Sequence, residues 1–354
     1  MVPFKSDMLP VLIGSLPVAD HDEALRMVFE YTPEIPLWVQ LPVYPEEGMM
    51  VQFLPGMPSV SEEDGRVFID TSGATFEDEL LRFYEAYLLV TEGEAPLDGT
   101  RFALTEETAK GFFTLLKKIE KTSEPPLALK GQITGPVTLA TGVTDQDRRA
   151  LFYDDRLLDV VVKTLAMKAR WQVEKLSQCG VPVIVFIDEP GLAGFGTSAF
   201  ISISREDINR VLSEVIEAVH EAGGLAGVHV CANTDWSLIL DSPADILSFD
   251  AYGFFDRLAL YEQPLKRFFE QDRILAWGIV PTSDSKDIER ETPSSLVEKW
   301  EVQADRLEAL GIKRGTISAQ SLITPSCGTG SLTQSHAVKV LEMTREVSRI
   351  LRSM

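Results

Sequence analysis

Three side chains that bind soft metal ions lie near the ends of predicted strands. His229 and Cys231 are separated by one residue in GVHVCANTDW, and Cys327 lies in ITPSCGTG. Because alternate residues of a strand point to the same face, His229 and Cys231 can address one point. One imidazole and two thiols suit zinc, which prefers tetrahedral coordination by nitrogen and sulfur. The sequence therefore predicts a zinc site made by these three residues.

A fourth zinc ligand is predicted at the end of the next strand, where Asp250 occurs in ILSFDAY. Each member of the set also has an ordinary alternative. A strand-end aspartate can cap the following helix, a cysteine before glycine can belong to a turn, and a His-x-Cys pair can be coincidental. The occurrence of all four residues at strand ends is what favours the metal site.

Two further segments carry groups suited to binding a substrate. Asp188 and Glu189 end the strand VPVIVFID, and both are predicted to contact substrate. Asp188 is the candidate catalytic residue, which binds an ammonium group or holds a proton in transit. The backbone N–H groups of Ile13, Gly14 and Ser15 are predicted to bind a substrate carboxylate. The alternatives are a helix cap for Asp188 and a simple turn for the Gly-Ser pair.

Eight short apolar segments are the predicted strands that place these residues at one edge of a sheet. They span residues 11–14, 37–43, 127–135, 181–188, 225–231, 246–252, 273–280 and 315–320. Amphipathic helices are predicted between them, for example at 205–224, with Ser204 as its N-cap, and at 294–311. This alternation predicts an α/β fold, specifically a (β/α)8 TIM barrel forming one domain over residues 1–354. A doubly wound open sheet is the alternative, but no G-x-G-x-x-G loop supports its nucleotide-binding form.

Residues 44–125 interrupt the alternation between the second and third predicted strands. The segment is rich in proline, glycine and acidic residues. It is predicted to contain two helices and a hairpin formed by residues 45–56 and 67–73. We expect this insertion to cover the mouth of the barrel. Within it, Glu46 and Glu47 are either contacts to an acceptor substrate or exposed loop acids.

The composition excludes several classes of partner. The chain has 33 Lys and Arg residues against 54 Asp and Glu residues, a net charge of −21. Such a field repels nucleic acid and anionic membranes, and no local basic patch is evident along the chain. No apolar run is long enough to span a bilayer. Because three cysteines do not form a secreted disulfide framework, we expect a cytoplasmic protein.

Taken in order, the motifs resemble the catalytic C-terminal barrel of the cobalamin-independent methionine synthase family. That family lies within the uroporphyrinogen decarboxylase and corrinoid methyltransferase superfamily. The matching segments are I-G-S at 13–15, D-E-P at 188–190, H-x-C at 229–231 and P-x-C-G at 325–328, and G-P-x-T-L-A at 135–140 is closer to the decarboxylase and corrinoid branch.

The resemblance implies a function and a set of roles. It implies zinc held by His229, Cys231 and Cys327, with an acidic ligand from the sixth strand. The synthases have a glutamate there, whereas this sequence aligns Asp250. The reaction implied is transfer of a methyl group to a homocysteine-like thiol. The backbone of residues 13–15 would hold the acceptor's carboxylate and Asp188 its amino group.

This sequence also departs from the family. The synthases carry a further N-terminal barrel and an aspartate and histidine after the seventh strand, where this chain reads WGIVPTSDS. Without that histidine to protonate a reduced folate, a methyl-corrinoid is favoured over a methyl-folate as donor. Two alternative functions stay open. One is a uroporphyrinogen decarboxylase-like enzyme, although the early segment offers only Lys5 and Arg26 for substrate carboxylates. The other is a non-catalytic zinc barrel that binds a methylated ligand.

Overall fold

The main sheet of this computed structural model has seven parallel strands, in the order β1-β9-β8-β7-β6-β5-β4. The model describes residues 4–200 and 202–354. A separate antiparallel pair consists of β2 and β3. The strands are β1 (Leu9–Pro10), β2 (Val60–Glu63), β3 (Arg66–Ile69), β4 (Leu129–Thr134), β5 (Val183–Asp188), β6 (Leu225–Val230), β7 (Ile246–Phe249), β8 (Ile274–Val280) and β9 (Ser321–Pro325).

Helices connect the parallel strands and cover the outside of the sheet. They are α1 (His21–Tyr31), α2 (Phe76–Thr91), α3 (Lys110–Ile119), α4 (Pro136–Gly142), α5 (Asp155–Leu176), α6 (Arg205–Glu221), α7 (Ser237–Leu240), α8 (Ala251–Leu258), α9 (Glu262–Glu270), α10 (Ser285–Arg290), α11 (Pro293–Ala309), α12 (Arg314–Ala319) and α13 (Gln334–Arg352). In the described residues, no helix has both the length and the apolar character needed to cross a bilayer. The predicted α/β fold is confirmed.

The sheet curls, and one segment hydrogen-bonds near both of its edges. Beyond β1, the N–H of Gln40 donates to the carbonyl of Gly14, and the N–H of Leu16 donates to the carbonyl of Gln40, both at 3.1 Å. On the other side, the N–H of Lys130 in β4 donates to the carbonyl of Pro36 at 3.0 Å. Isolated parallel bridges thus stand where the sequence predicts the second strand, 37–43.

Side chains on the concave side of the sheet form their own apolar cluster. Its buried members are Leu9, Val11, Ile13, Ile35, Ala128, Ile184, Phe186, Ile246, Ile274, Ala276 and Leu322. Most alternate along their strands, because every second residue of a strand points to the same face. Above this cluster, at the carboxyl ends of the strands, the inward positions become polar. This is the edge where parallel α/β folds bind ligands.

The structure corrects the position of the last predicted strand. Residues 315–319 fall in α12 rather than in a strand, Gln320 is the C-cap of that helix, and the strand that follows is β9. Ile317 is fully buried, so its β-branched side chain packs from a helix. The five residues of β9 are all buried, which is the environment of a central parallel strand.

The predicted hairpin is also wrong in its first arm. Residues 45–56 contain two short 3-10 turns, Pro45–Glu47 and Val51–Phe53. The arm that pairs with β3 is β2. Asp64 and Gly65 connect them with φ angles of 50° and 75°, as a two-residue hairpin turn requires. The Asp-Gly dipeptide was therefore the informative local signal.

The two predicted amphipathic helices are confirmed as α6 and α11. Ser204 caps α6 as predicted, its hydroxyl accepting the N–H of Asp207 at 3.0 Å. Thr292 caps α11 and exchanges hydrogen bonds with Ser295 in a capping box.

Candidate metal centre

The three predicted soft ligands come together at the carboxyl edge of the curled sheet. The candidate ligand atoms of His229, Cys231 and Cys327 all lie within 4.8 Å of one another. His229 belongs to β6 and Cys231 follows it directly, whereas Cys327 lies just beyond β9. Since β7 and β8 separate these strands in the sheet, the curvature of the sheet is what brings the ligands together.

The imidazole of His229 is oriented by a hydroxyl group on the neighbouring strand. Its Nδ1 lies 2.9 Å from Oγ of Ser248 in β7. Its Nε2 is buried and has no hydrogen-bond partner among the described residues. When Nδ1 donates its proton to Ser248, the lone pair of Nε2 is free, which is how a second partner prepares a histidine to bind a metal. The unpartnered nitrogen and the two thiols therefore fit a zinc ion.

The two thiols of the centre differ in pKa. The proximity of Cys327 and of His229 lowers the pKa of Cys231 to about 4. The proximity of Cys231, together with burial, raises the pKa of Cys327. Of the two thiols, Cys231 therefore loses its proton more readily than Cys327. A bound cation favours the loss of the second proton, because coordination stabilises thiolate.

Asp250 borders this centre and also caps a helix. Its Oδ1 accepts the N–H of Gly253 at 2.8 Å, at the start of α8. It is not one of the three clustered ligands. Burial raises its pKa to about 6, and the charge of Cys231 acts in the same direction. The capping alternative for Asp250 is thus realised, and its place as fourth ligand stays a prediction.

Asp188 directs an unpaired oxygen into the same region. It ends β5, in register with His229 on β6. Its Oδ1 is buried without a hydrogen-bond partner among the described residues. Burial raises the pKa of Asp188 to about 6, although His229 and Lys130 oppose the shift. This oxygen is available to accept a hydrogen bond from a cationic donor.

Glu189 points to α4 instead. Its Oε1 accepts the N–H of Val137 at 2.9 Å, and its Oε2 accepts the N–H and hydroxyl of Thr138 at 2.8 and 2.6 Å. The side chain is fully buried, and a Cβ at Gly135 would collide with its carboxyl group. Both oxygens are therefore engaged in holding the start of α4.

The segment Ile13–Ser15 lies against the loop that carries Cys327. The N–H of Thr329 donates to the carbonyl of Ser15 at 3.0 Å, and the N–H of Gly330 donates to its hydroxyl at 3.2 Å. A Cβ at Gly328 would collide with Oγ of Ser15. The predicted carboxylate-binding segment and a predicted metal ligand are thus neighbours.

Lys130, which is not among the site residues predicted from the sequence, points inward from β4 and is fully buried. Its Nζ lies 2.5 Å from the carbonyl of Ile13 and 4.4 Å from the ring centroid of Phe186. Burial lowers its pKa to about 8, and the charge of Asp188 opposes the shift. The available signal was a lone lysine within the apolar strand LALKGQITG. Lys130 connects the Ile13 segment to the Asp188 region.

Comparison with known proteins shows a shared fold. No family model and no curated protein matches the chain. The structure of a B12-independent methionine synthase from Shewanella sp. W3-18-1, in complex with selenomethionine, aligns over 98% of both chains with a TM-score of 0.55 and 14% identity. A pneumococcal exo-β-D-N-acetylglucosaminidase aligns over 97% of this chain and 85% of its own, with a TM-score of 0.46 and 10% identity. The similarity to the first structure is one of fold.

Proposed function

We propose that this protein is a zinc-dependent methyltransferase that moves a methyl group to the sulfur of a homocysteine-like thiol. The observation that carries the proposal is the cluster of His229, Cys231 and Cys327, in which Nε2 of His229 has no partner and Nδ1 is held by Ser248. The fold shared with a methionine synthase structure supports it. We infer that the protein acts in the cytoplasm on small molecules.

We infer that the chain forms one closed (β/α)8 barrel domain. Residues 36–40 bond to segments at both edges of the seven-stranded sheet, which is the position of an eighth strand. Closure would explain how ligands from β6 and from the end of β9 face one point. The metal centre would then lie at the mouth of the barrel, where enzymes of this fold carry their active sites.

His229, Cys231 and Cys327 would hold the zinc ion, and Ser248 would orient His229. The ion's contribution is to stabilise the acceptor sulfur as a thiolate, the nucleophilic form. Catalytic zinc sites have three protein ligands and keep a fourth position for water or substrate. Asp250 would fill this position or border it.

The acceptor's other groups would be held by the chain itself. Oδ1 of Asp188 would accept a hydrogen bond from the substrate ammonium group, since it is buried and unpaired. The N–H groups of Ile13–Ser15, beside the Cys327 loop, would bind the substrate carboxylate. Lys130 is a positioning residue, because its Nζ holds the Ile13 carbonyl. Glu189 would anchor α4 and not contact substrate.

A methyl-corrinoid is the donor that we favour, with a methyl-folate as the second candidate. Its cobalt leaves with the bonding electron pair and needs no proton. The segment after β8 contains no histidine to supply one. There, the hydroxyl groups of Thr282 and Ser326 pair with each other at 2.9 Å.

The test combines zinc analysis with methyl transfer to homocysteine. Wild type is expected to bind zinc and to methylate homocysteine from methylcobalamin or methyltetrahydrofolate. Cys327→Ala should lose both zinc and activity. Cys179→Ala is the matched control, because Cys179 is a free cysteine in the turn after α5 and outside the cluster.

Three outcomes would count against parts of the proposal. Full zinc content and activity in Cys327→Ala would refute the ligand assignment. Stoichiometric zinc in a wild type that methylates no thiol would favour the non-catalytic barrel. Decarboxylase activity that does not depend on zinc would favour the uroporphyrinogen decarboxylase-like alternative.

A further inference from the structure

A basic cleft lies between α1 and α3, on the outside of the sheet. Its volume is about 590 Å³. Its walls carry five cationic side chains, with Asp22 as the single acidic group among the lining residues. The cations are Arg26 from α1, Lys110, Lys117 and Lys118 from α3, and Lys121 from the turn that follows α3. The sequence-based expectation of no local basic patch is therefore wrong.

Most of these cations have no counter-ion in the protein. Lys117 pairs with Glu106 at 3.0 Å, and both side chains are about two-thirds exposed, at 67% and 65%. For the other four, no ion pair within 4.0 Å forms among the residues that the structure describes. Placing like charges together without partners is unfavourable. It is unexpected in a chain whose acids outnumber its bases by 54 to 33.

The arrangement of the cations indicates the class of ligand. Lys110 and Lys117 are two helical turns apart and lie on one side of α3, about 10 Å from each other. Arg26 faces them from the other helix. Carboxylates on an extended peptide are spaced at about 3.3 Å per residue, so a few acidic residues in sequence can meet both walls.

The rest of the molecule limits the size of that ligand. Beyond about one Debye length, roughly 8–10 Å, a long polyanion would meet the negative remainder of the surface. A flat membrane surface does not enter a cleft between two helices. Both points favour a short acidic segment over nucleic acid or lipid.

We propose that the cleft between α1 and α3 docks a short acidic segment of a partner protein. The lysine stems supply apolar contact while their ammonium groups pair with carboxylates. Because the interaction is electrostatic, we expect it to speed association and to weaken as the salt concentration rises. This inference does not depend on the zinc centre or on methyl transfer.

The test uses a fluorescein-labelled hexaglutamate peptide and the full-length protein, with binding followed by anisotropy. Wild type is expected to bind the peptide at low salt and to release it as the salt concentration rises. Arg26→Gln combined with Lys121→Gln removes one unpaired cation from each wall. Loss of two exposed charge pairs should weaken binding about fivefold to tenfold.

The matched control is Lys286→Gln combined with Lys313→Gln, which changes the net charge equally at exposed positions outside the cleft. It should bind the peptide like wild type. Equal weakening in both double variants would overturn the proposal, because the attraction would then be non-specific. So would tighter binding of an oligothymidylate of equal charge, or no peptide binding at low salt.

Discussion

The ring of His229 has one direction in which it can bind a ligand, and a single hydroxyl group sets it. Ser248 is fully buried on β7, and its Oγ forms a hydrogen bond with Nδ1 of the imidazole. Nε2 is then the ring nitrogen that remains free to bind a metal together with the two thiols. Ser248 would take no part in the proposed methyl transfer, yet its hydroxyl group sets the orientation of the His229 ring. Replacing such a hydrogen-bond partner of a metal ligand commonly lowers metal affinity by about 10- to 100-fold.

The positioning role proposed for Lys130 can be tested by one substitution. Burying an ammonium group is costly unless it has partners, which here are the Ile13 carbonyl, Oε1 of Gln132 at 3.4 Å and the Phe186 ring. In Lys130→Met the Ile13 carbonyl loses its donor and the segment 13–15 loses its restraint. We expect the KM for homocysteine to rise about tenfold, the equivalent of one lost hydrogen bond to a charged group, with kcat changed less. Zinc content should be unchanged.

Lys168→Met is the control for that measurement. Lys168 is also buried, and burial likewise lowers its pKa to about 8, but it lies on α5 rather than on an inward face of the sheet. Its replacement should leave KM unaltered. An unchanged KM in Lys130→Met, or an equal rise in both variants, would contradict the positioning role. Loss of zinc from Lys130→Met would instead place the lysine in support of the metal centre.

Among the secondary-structure elements, α4 is held at its start by a carboxylate from the end of β5 and not from β4, the strand that precedes it. The first turn of a helix has N–H groups without intrahelical acceptors, and Glu189 at the end of β5 accepts two of them. A negative charge at this end is also favourable because of the helix dipole. Burial raises the pKa of Glu189 to about 7, while these hydrogen bonds oppose the shift. Glu189 therefore makes a buried polar contact between the end of β5 and the start of α4.

Glu189→Ala is expected to destabilise the fold rather than to impair substrate binding. It leaves the N–H groups of Val137 and Thr138 buried without acceptors, at a cost of about 3 kcal/mol in the free energy of unfolding. Urea denaturation measures this directly. Glu189→Gln, which keeps one acceptor oxygen, should lose less. Glu206→Ala, at an exposed residue in the first turn of α6, should cost less than about 1 kcal/mol.

The same variants separate the two roles considered for Glu189. If it touches substrate, Glu189→Gln will raise KM as strongly as Asp188→Asn. If it only anchors α4, the KM of Glu189→Gln will stay near that of wild type. The second result is the one we expect.

At the scale of the whole molecule, zinc would cross-link distant parts of the chain. His229 lies in β6 and Cys231 directly after it, whereas Cys327 lies beyond β9, with two strands between β6 and β9. An ion bound only in the folded state adds RT ln(1 + [L]/Kd) to stability, about 2.7 kcal/mol at a hundredfold excess over Kd. Zinc should therefore raise Tm by a few degrees, and a chelator should reverse the change.

Calorimetry on two cysteine variants checks this prediction. Cys231→Ala should show little response to zinc, whereas Cys179→Ala should respond like wild type. A zinc-dependent rise of equal size in Cys231→Ala would show that the ion stabilises the protein at some other place.

The distribution of charge is a second property of the whole molecule. A net charge of −21 predicts a surface that repels polyanions. Folding nevertheless brings Arg26 beside the lysines of α3, which are far from it in the sequence. The total charge is a sum over residues, whereas a patch is a matter of adjacency in space. This also weakens the argument against an anionic donor or partner that rested on the total alone.

Residue types and their local spacing were sufficient to predict the candidate ligands and the class of fold. Alternation within a strand is a local property, so His229 and Cys231 could be assigned to one face from their spacing. Helix boundaries such as Ser204 are also local, because a cap acts within one turn. The alternation of apolar runs with amphipathic segments was enough to predict the parallel α/β architecture.

Which of these residues lie close together depends on the three-dimensional packing of the chain. Cys327 reaches Cys231 through the curvature of the sheet, and no spacing along the chain encodes that curvature. Asp188 and Glu189 are adjacent in sequence, yet one leaves a buried oxygen unpaired and the other holds α4. Residues 315–319 are helical although Thr316 and Ile317 are β-branched, because tertiary packing can override such a local preference. Contacts between distant segments depend on how the layers pack, and that information is spread over the whole chain.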